Sequence, residues 1–241
     1  LRATKDSSLK LVVAPDLAGI PWETLLVRGY GFPIPLISKM IRENKTVFSR
    51  SEKKNGILFI KGDGCGINNF DKAITGFIST LDSTDQKYNF IEAEDAGVVG
   101  RELGRRRYNM IIYYGHSDFD EDEFKTGWRC MNGEIFPCNE FGILRHSAPD
   151  MIISNSCNSA RAMPFISHSI AYHALRAGAR SYIGTRWLLE LGRSGKFINI
   201  LIKNMLQKHK SPEESFKAAI NFMAKEYGYD DASVYNYVFY N

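Results

Sequence analysis

The sequence predicts an α/β fold with a mainly parallel central sheet flanked by helices. Short apolar runs alternate along the chain with longer amphipathic segments, which is the order of elements in such folds. Within the runs, polar and apolar residues do not alternate, as expected of strands whose two faces are both covered. The 241 residues, 44% of them apolar, suffice for one sizeable core, and no Pro/Ser-rich or charged stretch divides them. We therefore expect residues 1–241 to form a single domain.

Five apolar runs are the strand candidates. They are rich in Ile, Leu, Phe, Tyr and Met, which suits buried parallel strands. The runs are residues 56–61, 87–91, 108–114, 150–154 and 179–184, of which 87–91 has the least regular pattern.

Helix candidates lie between and after these runs. Ser211 is a candidate N-cap, with Pro212 in the first turn and Glu214 at the capping-box position, so a helix is expected to begin there. Gly178 is a suitable residue to end the helix before it. The other predicted helices run from a cap at Asp71 to Leu81, from a cap at Asp95 towards Arg107, over 166–177 and over 194–209.

Charge and hydropathy exclude some classes of function. The net charge of +4 is modest and the basic residues are dispersed, while residues 105–107 are interpreted as the end of an amphipathic helix. No direct nucleic-acid ligand is expected. No apolar run approaches the roughly 20 residues of a membrane-spanning helix, so no membrane association is expected either.

The cysteines point to free thiols and not to a metal or disulfide framework. The four cysteines have irregular spacings and form no CxxC pair, which disfavours a zinc ribbon or a thioredoxin-type site. Free thiols suit a reducing, cytoplasmic setting. We expect no metal ion and no cofactor.

Candidate catalytic residues follow two of the predicted strands. Ligands of open parallel sheets bind beyond the carboxyl ends of the strands, where His116 follows residues 108–114 and Cys157 follows residues 150–154. A nearby imidazole increases the thiolate fraction of a cysteine, so this pair suits nucleophilic catalysis. The residues alone leave two alternatives open: a cysteine after a strand is often a small buried hydrophobe, and a histidine is often polar surface.

Four blocks, in order along nearly the whole chain, resemble the CHAT family of cysteine peptidases, relatives of caspases and separases. The most specific is AYHALRAGARSYIGTRW at residues 171–187, which resembles the family's A-x-x-x-L-x-A-G-A…I-G-T-x-W block. The others are residues 13–25, with P-D…P-W-E-x-L, residues 110–116, a strand that ends in His116, and residues 150–157, a strand that ends in Cys157.

The resemblance implies a three-layer caspase-like fold and a cysteine endopeptidase. His116 would be the base and Cys157 the nucleophile, and a backbone carbonyl suffices to orient the histidine. The backbone N–H groups of Cys157 and of the residue beside His116 would hold the oxyanion. In the family a glycine usually follows the histidine; here Ser117 follows and Gly115 precedes, so both are candidates for the oxyanion hole.

The resemblance also indicates the pocket for the side chain before the cleaved bond. Asp63 follows the first strand, Glu190 follows the strand at 179–184, and Asn155 lies two residues before Cys157. Two carboxylates would favour Arg or Lys in this pocket. The alternatives are that Asp63 caps a turn between glycines and that Glu190 is a charge at a helix N-terminus. Arg161 or Arg186 would instead favour an acidic side chain.

Two further motifs bear on function. The glycine-rich loop 62–66 lacks the Gly-Lys-[Ser/Thr] of a phosphate-binding loop, which disfavours a flavodoxin-like nucleotide binder and favours a substrate-cleft loop. The acidic run 118–123 is compatible with a solvated loop, a calcium site or a flap near the active site.

CHAT domains end longer chains, often after TPR helices, and some belong to bacterial defence and CRISPR-linked systems. The chain does not begin with Met, so we expect it to be excised from a longer protein with an N-terminal TPR or sensor region. The expected partners are a specific protein substrate and that region or an activating complex. The alternative is a catalytically silent protein-interaction module on the same fold, which the presence of both His116 and Cys157 disfavours.

Overall fold

A computed structural model describes residues 10–12, 39–41, 56–84, 86–105, 108–161, 169–229 and 231–240. In this part of the chain an eight-stranded sheet is flanked by helices, and a three-stranded sheet lies beside it. The predicted family block at residues 13–25 lies outside the described residues.

The strands confirm the prediction of a mainly parallel sheet. The large sheet has the order β1-β2-β11-β10-β9-β5-β3-β4, and within the described residues the β10–β11 pair is antiparallel while its other pairs are parallel. Strands β6, β7 and β8 form the small antiparallel sheet. The bounds are β1 Lys10–Val12, β2 Lys39–Ile41, β3 Ile57–Lys61, β4 Tyr88–Glu92, β5 Met110–Tyr114, β6 Ser117–Asp118, β7 Gly127–Arg129, β8 Ile135–Pro137, β9 Met151–Asn155, β10 Ser181–Thr185 and β11 Tyr237–Tyr240.

The helices lie between and after the strands of the large sheet. A 3₁₀ helix spans Cys138–His146, and a turn of π-helix at Lys203–Gln207 continues α4. Among the described residues, no helix combines the length and the apolar content that crossing a bilayer requires. The α-helices are α1 Phe70–Asp82, α2 Ala96–Arg105, α3 Ile170–Arg176, α4 Leu191–Ile202, α5 Pro212–Tyr227 and α6 Ser233–Asn236.

Of the three helix caps predicted from the sequence, two agree with the structure and one differs. Asp95 accepts a hydrogen bond from the N–H of Val98 at 2.7 Å, and Ser211 forms the expected capping box. The predicted cap at Asp71 is wrong: α1 begins after Asn69, whose left-handed backbone (φ 59°) turns the chain, and Asp71 lies in the first turn. There its carboxylate pairs with Lys61 at 3.0 Å, because the neighbouring strand β3 ends beside it.

The hydrophobic core has two layers, one on each face of the sheet. In β3, Ile57 and Phe59 belong to the core layer that includes α1, α4 and α5, while Leu58 and Ile60 belong to the layer that includes α2, α3 and the 3₁₀ helix. Each fully buried side chain of this size contributes about 1.5–3 kcal/mol. The two-sided burial explains why the strands read as continuous apolar runs, and it leaves the carboxyl ends of the strands as the place for polar chemistry.

Candidate active site

The sheet register brings the two candidate catalytic residues to one edge. Tyr114, the last residue of β5, pairs with Lys61 at the end of β3 and with Asn155 at the end of β9. His116 and Cys157 each lie two residues beyond these aligned strand ends. Because β5 and β9 are parallel neighbours, both residues lie beyond the same edge of the sheet, at the carboxyl ends of its strands.

His116 and Cys157 line the same cavity, which has a volume of about 480 Å³. Its wall includes three further residues that the sequence predicted for the site, Gly115, Asn155 and Glu190. Ile67, Phe70, Tyr114 and Leu189 make much of the remaining wall apolar or aromatic. The cavity is therefore large enough for an amino-acid side chain beside the candidate thiol.

The ring and the backbone of His116 are both held in place. Its Nε2 lies 3.0 Å from the carbonyl oxygen of Cys65, which can only accept a hydrogen. In the neutral imidazole this places the proton on Nε2 and leaves Nδ1 as the acceptor. The backbone N–H of His116 donates to the carbonyl of Asp63 at 2.8 Å, and its carbonyl accepts from the N–H of Arg129 at 3.0 Å.

A buried tyrosine of β5 holds the backbone of His116. The Tyr113 hydroxyl lies 2.5 Å from the carbonyl oxygen of His116, and the ring stacks on Trp128 with centroids 4.6 Å apart. Burial raises the pKa of Tyr113 well above its usual value, so the hydroxyl remains a donor at neutral pH. A side chain at Gly62 would place its Cβ 2.1 Å from this hydroxyl oxygen, which explains the glycine there.

Cys157 is the half-buried cysteine of the site, and two neighbouring segments contact it. Its Sγ accepts a hydrogen bond from the backbone N–H of Leu189 at 3.2 Å, and its carbonyl accepts one from the Ser117 hydroxyl. The turn that carries it is fixed by Thr185 of β10, whose hydroxyl donates to the carbonyl of Ser156 at 2.6 Å. The polar residues around Cys157 thus hold the thiol at the cavity.

The other cysteines differ from Cys157 in their surroundings. Cys130 and Cys138 are buried, and burial raises the pKa of Cys130 to about 11 and that of Cys138 to about 12. These two thiols are small buried hydrophobic side chains, which is the alternative role that the sequence allowed for Cys157. Cys65 is exposed, and its contact with His116 is made by its backbone.

The two candidates for the oxyanion hole beside His116 differ in their hydrogen bonds. The N–H of Gly115 donates to the carbonyl of Asn155 at 3.4 Å, so this donor is already used in a backbone hydrogen bond. A Cβ at Gly115 would lie 2.9 Å from the Cα of Gly62, which explains why a glycine precedes the histidine.

Ser117 has a backbone position that suits the role better. The N–H of Arg129 donates to the carbonyl of His116, and Ser117 is the next residue in this antiparallel ladder, opposite Trp128. Bonded and non-bonded pairs alternate along such a ladder, so the N–H of Ser117 points away from β7. Its side chain contacts the backbone of Cys157, which places Ser117 beside the candidate nucleophile.

Asp63 does not line the cavity of His116 and Cys157, and the cavity that it does line shares Ile67, Asn69 and Phe70 with that one. Asp63 lines a neighbouring cavity of about 390 Å³, and its carboxylate accepts a hydrogen bond from the N–H of Cys65 at 2.8 Å. This contact is the turn cap that the sequence offered as the alternative role of Asp63.

Glu190 and Asn155 do line the cavity with Cys157. Glu190 directly precedes α4 and pairs with Arg193 at 2.7 Å, while its side chain remains 66% exposed. Asn155 is buried, and its Oδ1 accepts a hydrogen bond from the Tyr237 hydroxyl at 2.5 Å. One carboxylate, partly neutralised by an arginine, therefore lies in the candidate substrate pocket.

The two arginines considered for an acidic specificity lie outside the cavity lining. The guanidinium of Arg161 stacks over the ring of Phe119 at 4.9 Å, and Arg186 is buried.

The acidic run contacts protein side chains. Asp118 accepts from Nε of Arg129 at 2.9 Å, and Glu123 lies 3.6 Å from Nε2 of His173. Within the residues that the structure describes, His, Cys, Asp and Glu side chains form no group of three that could hold a metal ion.

Asn236 holds the loop beside the candidate site, a contact that sequence reasoning missed. Its Oδ1 accepts hydrogen bonds from the N–H groups of Arg186 and Trp187, at 3.1 and 2.9 Å, and its Nδ2 donates to the carbonyl of Leu188 at 2.9 Å. The next residue is Leu189, whose N–H contacts Cys157. Asn236 lies about 50 residues from this loop, so no local pattern reveals the contact.

Replacing Asn236 with alanine is expected to destabilise the protein by about 1 kcal/mol, since the N–H of Trp187 and the carbonyl of Leu188, both partly buried, lose their partner. Asn236→Asp is the matched variant: it keeps the acceptor for two N–H groups and loses the donor to Leu188, so a smaller loss is expected. Denaturant unfolding measures both. Equal stability of Asn236→Ala and the wild type would contradict this role.

Comparison with known proteins supports the fold. No protein-family model and no curated protein matches the sequence. Among solved structures, gingipain R (RgpB) of Porphyromonas gingivalis, an Arg-specific cysteine proteinase, has a TM-score of 0.58 and 12% identity over 78% of this chain and 46% of its own. Separase of Saccharomyces cerevisiae, in complex with securin, has a TM-score of 0.60 and 15% identity over 97% of this chain and 16% of its own.

The chain therefore has a caspase-like fold, in which a mainly parallel sheet is flanked by helices. At 12–15% identity this likeness concerns the fold alone. The chain spans less than half of the gingipain R chain and about a sixth of the separase chain. The finer resemblance to the CHAT family stays a prediction.

Proposed function

We propose that the chain is a cysteine endopeptidase in which Cys157 is the nucleophile and His116 the general base. The observation that carries the proposal is the position of both side chains in one cavity, beyond the aligned ends of β5 and β9. The hydrogen bond from Nε2 of His116 to the carbonyl of Cys65 supports it further, because Nδ1 is then available to accept the thiol proton.

In the proposed mechanism, Nδ1 of His116 takes the proton of Cys157, and the thiolate attacks the carbonyl carbon of the scissile peptide. The N–H groups of Ser117 and Cys157 stabilise the oxyanion. The protonated His116 then donates to the leaving amine as the C–N bond breaks, which leaves a thioester on Cys157. His116 next deprotonates a water, whose attack releases the carboxylic acid and restores the thiol.

A basic side chain before the cleaved bond remains part of the proposal, and Glu190 carries it. Asp63 lies outside the cavity, so Glu190 is the carboxylate that supports this preference.

Glu190→Gln is expected to lower kcat/KM for peptides with Arg or Lys before the cut by about two- to fivefold. Peptides with a neutral residue there should be unaffected. The effect is small because the carboxylate is largely exposed and shared with Arg193. Glu140→Gln, the same change at an exposed residue of the 3₁₀ helix, is the control. An equal loss for basic and neutral peptides would remove Glu190 from the specificity pocket.

We further infer a regulated role from the CHAT resemblance. The chain would act in a cytoplasmic bacterial defence system, of which CRISPR-linked systems are one class, and cut a specific protein once activated. Its partners would be that substrate and a TPR or sensor region or activating complex. The resemblance in the four sequence blocks supports this context.

Covalent labelling tests the proposed function. A peptidyl acyloxymethyl ketone with Arg before the reactive carbon loses its carboxylate when a thiolate attacks, which leaves a thioether that peptide mapping locates. We expect the label on Cys157 in the wild type and about 100-fold slower labelling in His116→Ala. A label on Cys65 instead, or a rate independent of His116, would contradict the assignment.

A further inference from the structure

We propose that Asp63 is a positioning residue for the general base, and that it does not select substrates by their charge. Its carboxylate holds the turn whose Cys65 carbonyl receives Nε2–H of His116. This inference rests on the proposed function, since a base has to be positioned only if His116 acts as one.

The contacts form a short path from the Asp63 carboxylate to the imidazole. Oδ1 of Asp63 accepts from the N–H of Cys65 at 2.8 Å, and the carbonyl of Cys65 lies 3.0 Å from Nε2 of His116. The same residue also holds the backbone of the histidine, because the carbonyl of Asp63 accepts from the N–H of His116 at 2.8 Å. Ring and backbone of His116 are thus both tied to Asp63.

The backbone at Asp63 and Gly64 has close neighbours, while Cys65 and Gly66 in the turn are exposed. The N–H of Asp63 donates to the carbonyl of Arg129 at 3.0 Å, which anchors the loop to β7. A Cβ at Gly64 would lie 2.2 Å from the ring of Phe70, so the backbone lies directly against α1. The segment that leads into the turn with the Cys65 carbonyl is therefore held on two sides.

The placement of the carboxylate disfavours a role in substrate selection. Asp63 lines the 390 Å³ cavity and is absent from the lining of the cavity with Cys157. One of its oxygens is already engaged by the Cys65 N–H. A substrate side chain beside Cys157 would meet Glu190 and Asn155.

Two substitutions separate hydrogen bonding from charge. Asp63→Asn keeps an oxygen that accepts from the Cys65 N–H and removes the negative charge, whereas Asp63→Ala removes both. A positioning role predicts that Asp63→Asn retains its kcat and that Asp63→Ala loses it. Charge recognition predicts that both variants lose their preference for basic peptides.

Peptide cleavage is the first measurement. We expect Asp63→Asn to retain kcat within about threefold, and Asp63→Ala to lose about 10- to 100-fold in kcat. KM and the preference before the cut should not change in either variant. Loss of basic preference in Asp63→Asn, or a kcat of Asp63→Asn more than about tenfold below that of the wild type, would overturn the proposal. Both outcomes are read from the asparagine variant, so they hold even if the alanine variant fails to fold.

Alkylation of Cys157 by iodoacetamide is the second measurement, and it needs no substrate. In a Cys65→Ala background the exposed thiol is removed while the backbone carbonyl remains. We expect His116→Ala and Asp63→Ala to slow alkylation at neutral pH by about tenfold, and Asp63→Asn to leave it unchanged.

The two proposals fail differently in this measurement. Slow alkylation in His116→Ala with wild-type alkylation in Asp63→Ala would overturn the role of Asp63 alone. Equal rates in the wild type and His116→Ala would overturn the His116–Cys157 pair and the positioning role with it.

Discussion

Replacing His116 with alanine is expected to lower kcat for peptide cleavage about 100- to 10,000-fold, the usual contribution of a general base. The fold should survive, because the backbone N–H and carbonyl of His116 make the hydrogen bonds that hold the loop, and these do not depend on the ring. Unchanged KM would show that the loss lies in the chemical step.

The control for this variant is His146→Ala, an exposed histidine of the 3₁₀ helix. Cleavage is measured with one peptide at saturating concentration, and unfolding is followed in parallel. An activity of His116→Ala within tenfold of the wild type would contradict its role as the base.

Replacing Ser117 with proline is expected to lower kcat about 100- to 1,000-fold, as for the loss of one oxyanion donor. Proline removes the backbone N–H, and edge strands such as β6 accept it where that N–H is not used in the ladder. The matched variant Ser117→Gly keeps the N–H and loses the hydroxyl that contacts the Cys157 carbonyl.

The comparison of these two variants separates main-chain from side-chain effects. We expect Ser117→Gly to retain most of its activity, with a modest loss of stability from the missing hydroxyl contact. If Ser117→Pro and Ser117→Gly fold equally well and cleave equally fast, the N–H of Ser117 does not bind the oxyanion.

Much of the sheet is predictable from sequence, because buried parallel strands produce apolar runs that are visible locally. Strands β3, β4, β5, β9 and β10 all lie at the predicted runs, with ends that differ by one or two residues. Strands of two or three residues, such as β6, have no periodicity to detect. The pairing of β11 between β2 and β10 is a long-range contact that no local pattern encodes.

The grouping of the candidate site residues was predictable, while their catalytic roles stay a prediction. His116, Cys157, Asn155 and Glu190 share one cavity because their strands end in register at one edge of the sheet. The carbonyl that holds the histidine ring belongs to Cys65, and a main-chain group has no sequence signature. Asp63 was expected in the substrate pocket; its carboxylate accepts a hydrogen bond from the N–H of its own turn and lines the neighbouring cavity.

The central claim is that Cys157 cleaves peptides, and the most direct test is digestion of a diverse peptide library by the wild type and Cys157→Ala. Mass spectrometry identifies the residue before each cut. We predict cuts that require Cys157 and follow Arg or Lys. Cuts that persist in Cys157→Ala would contradict the claim. So would the absence of any cleavage by the full-length protein with its activator, which would favour the catalytically silent interaction module.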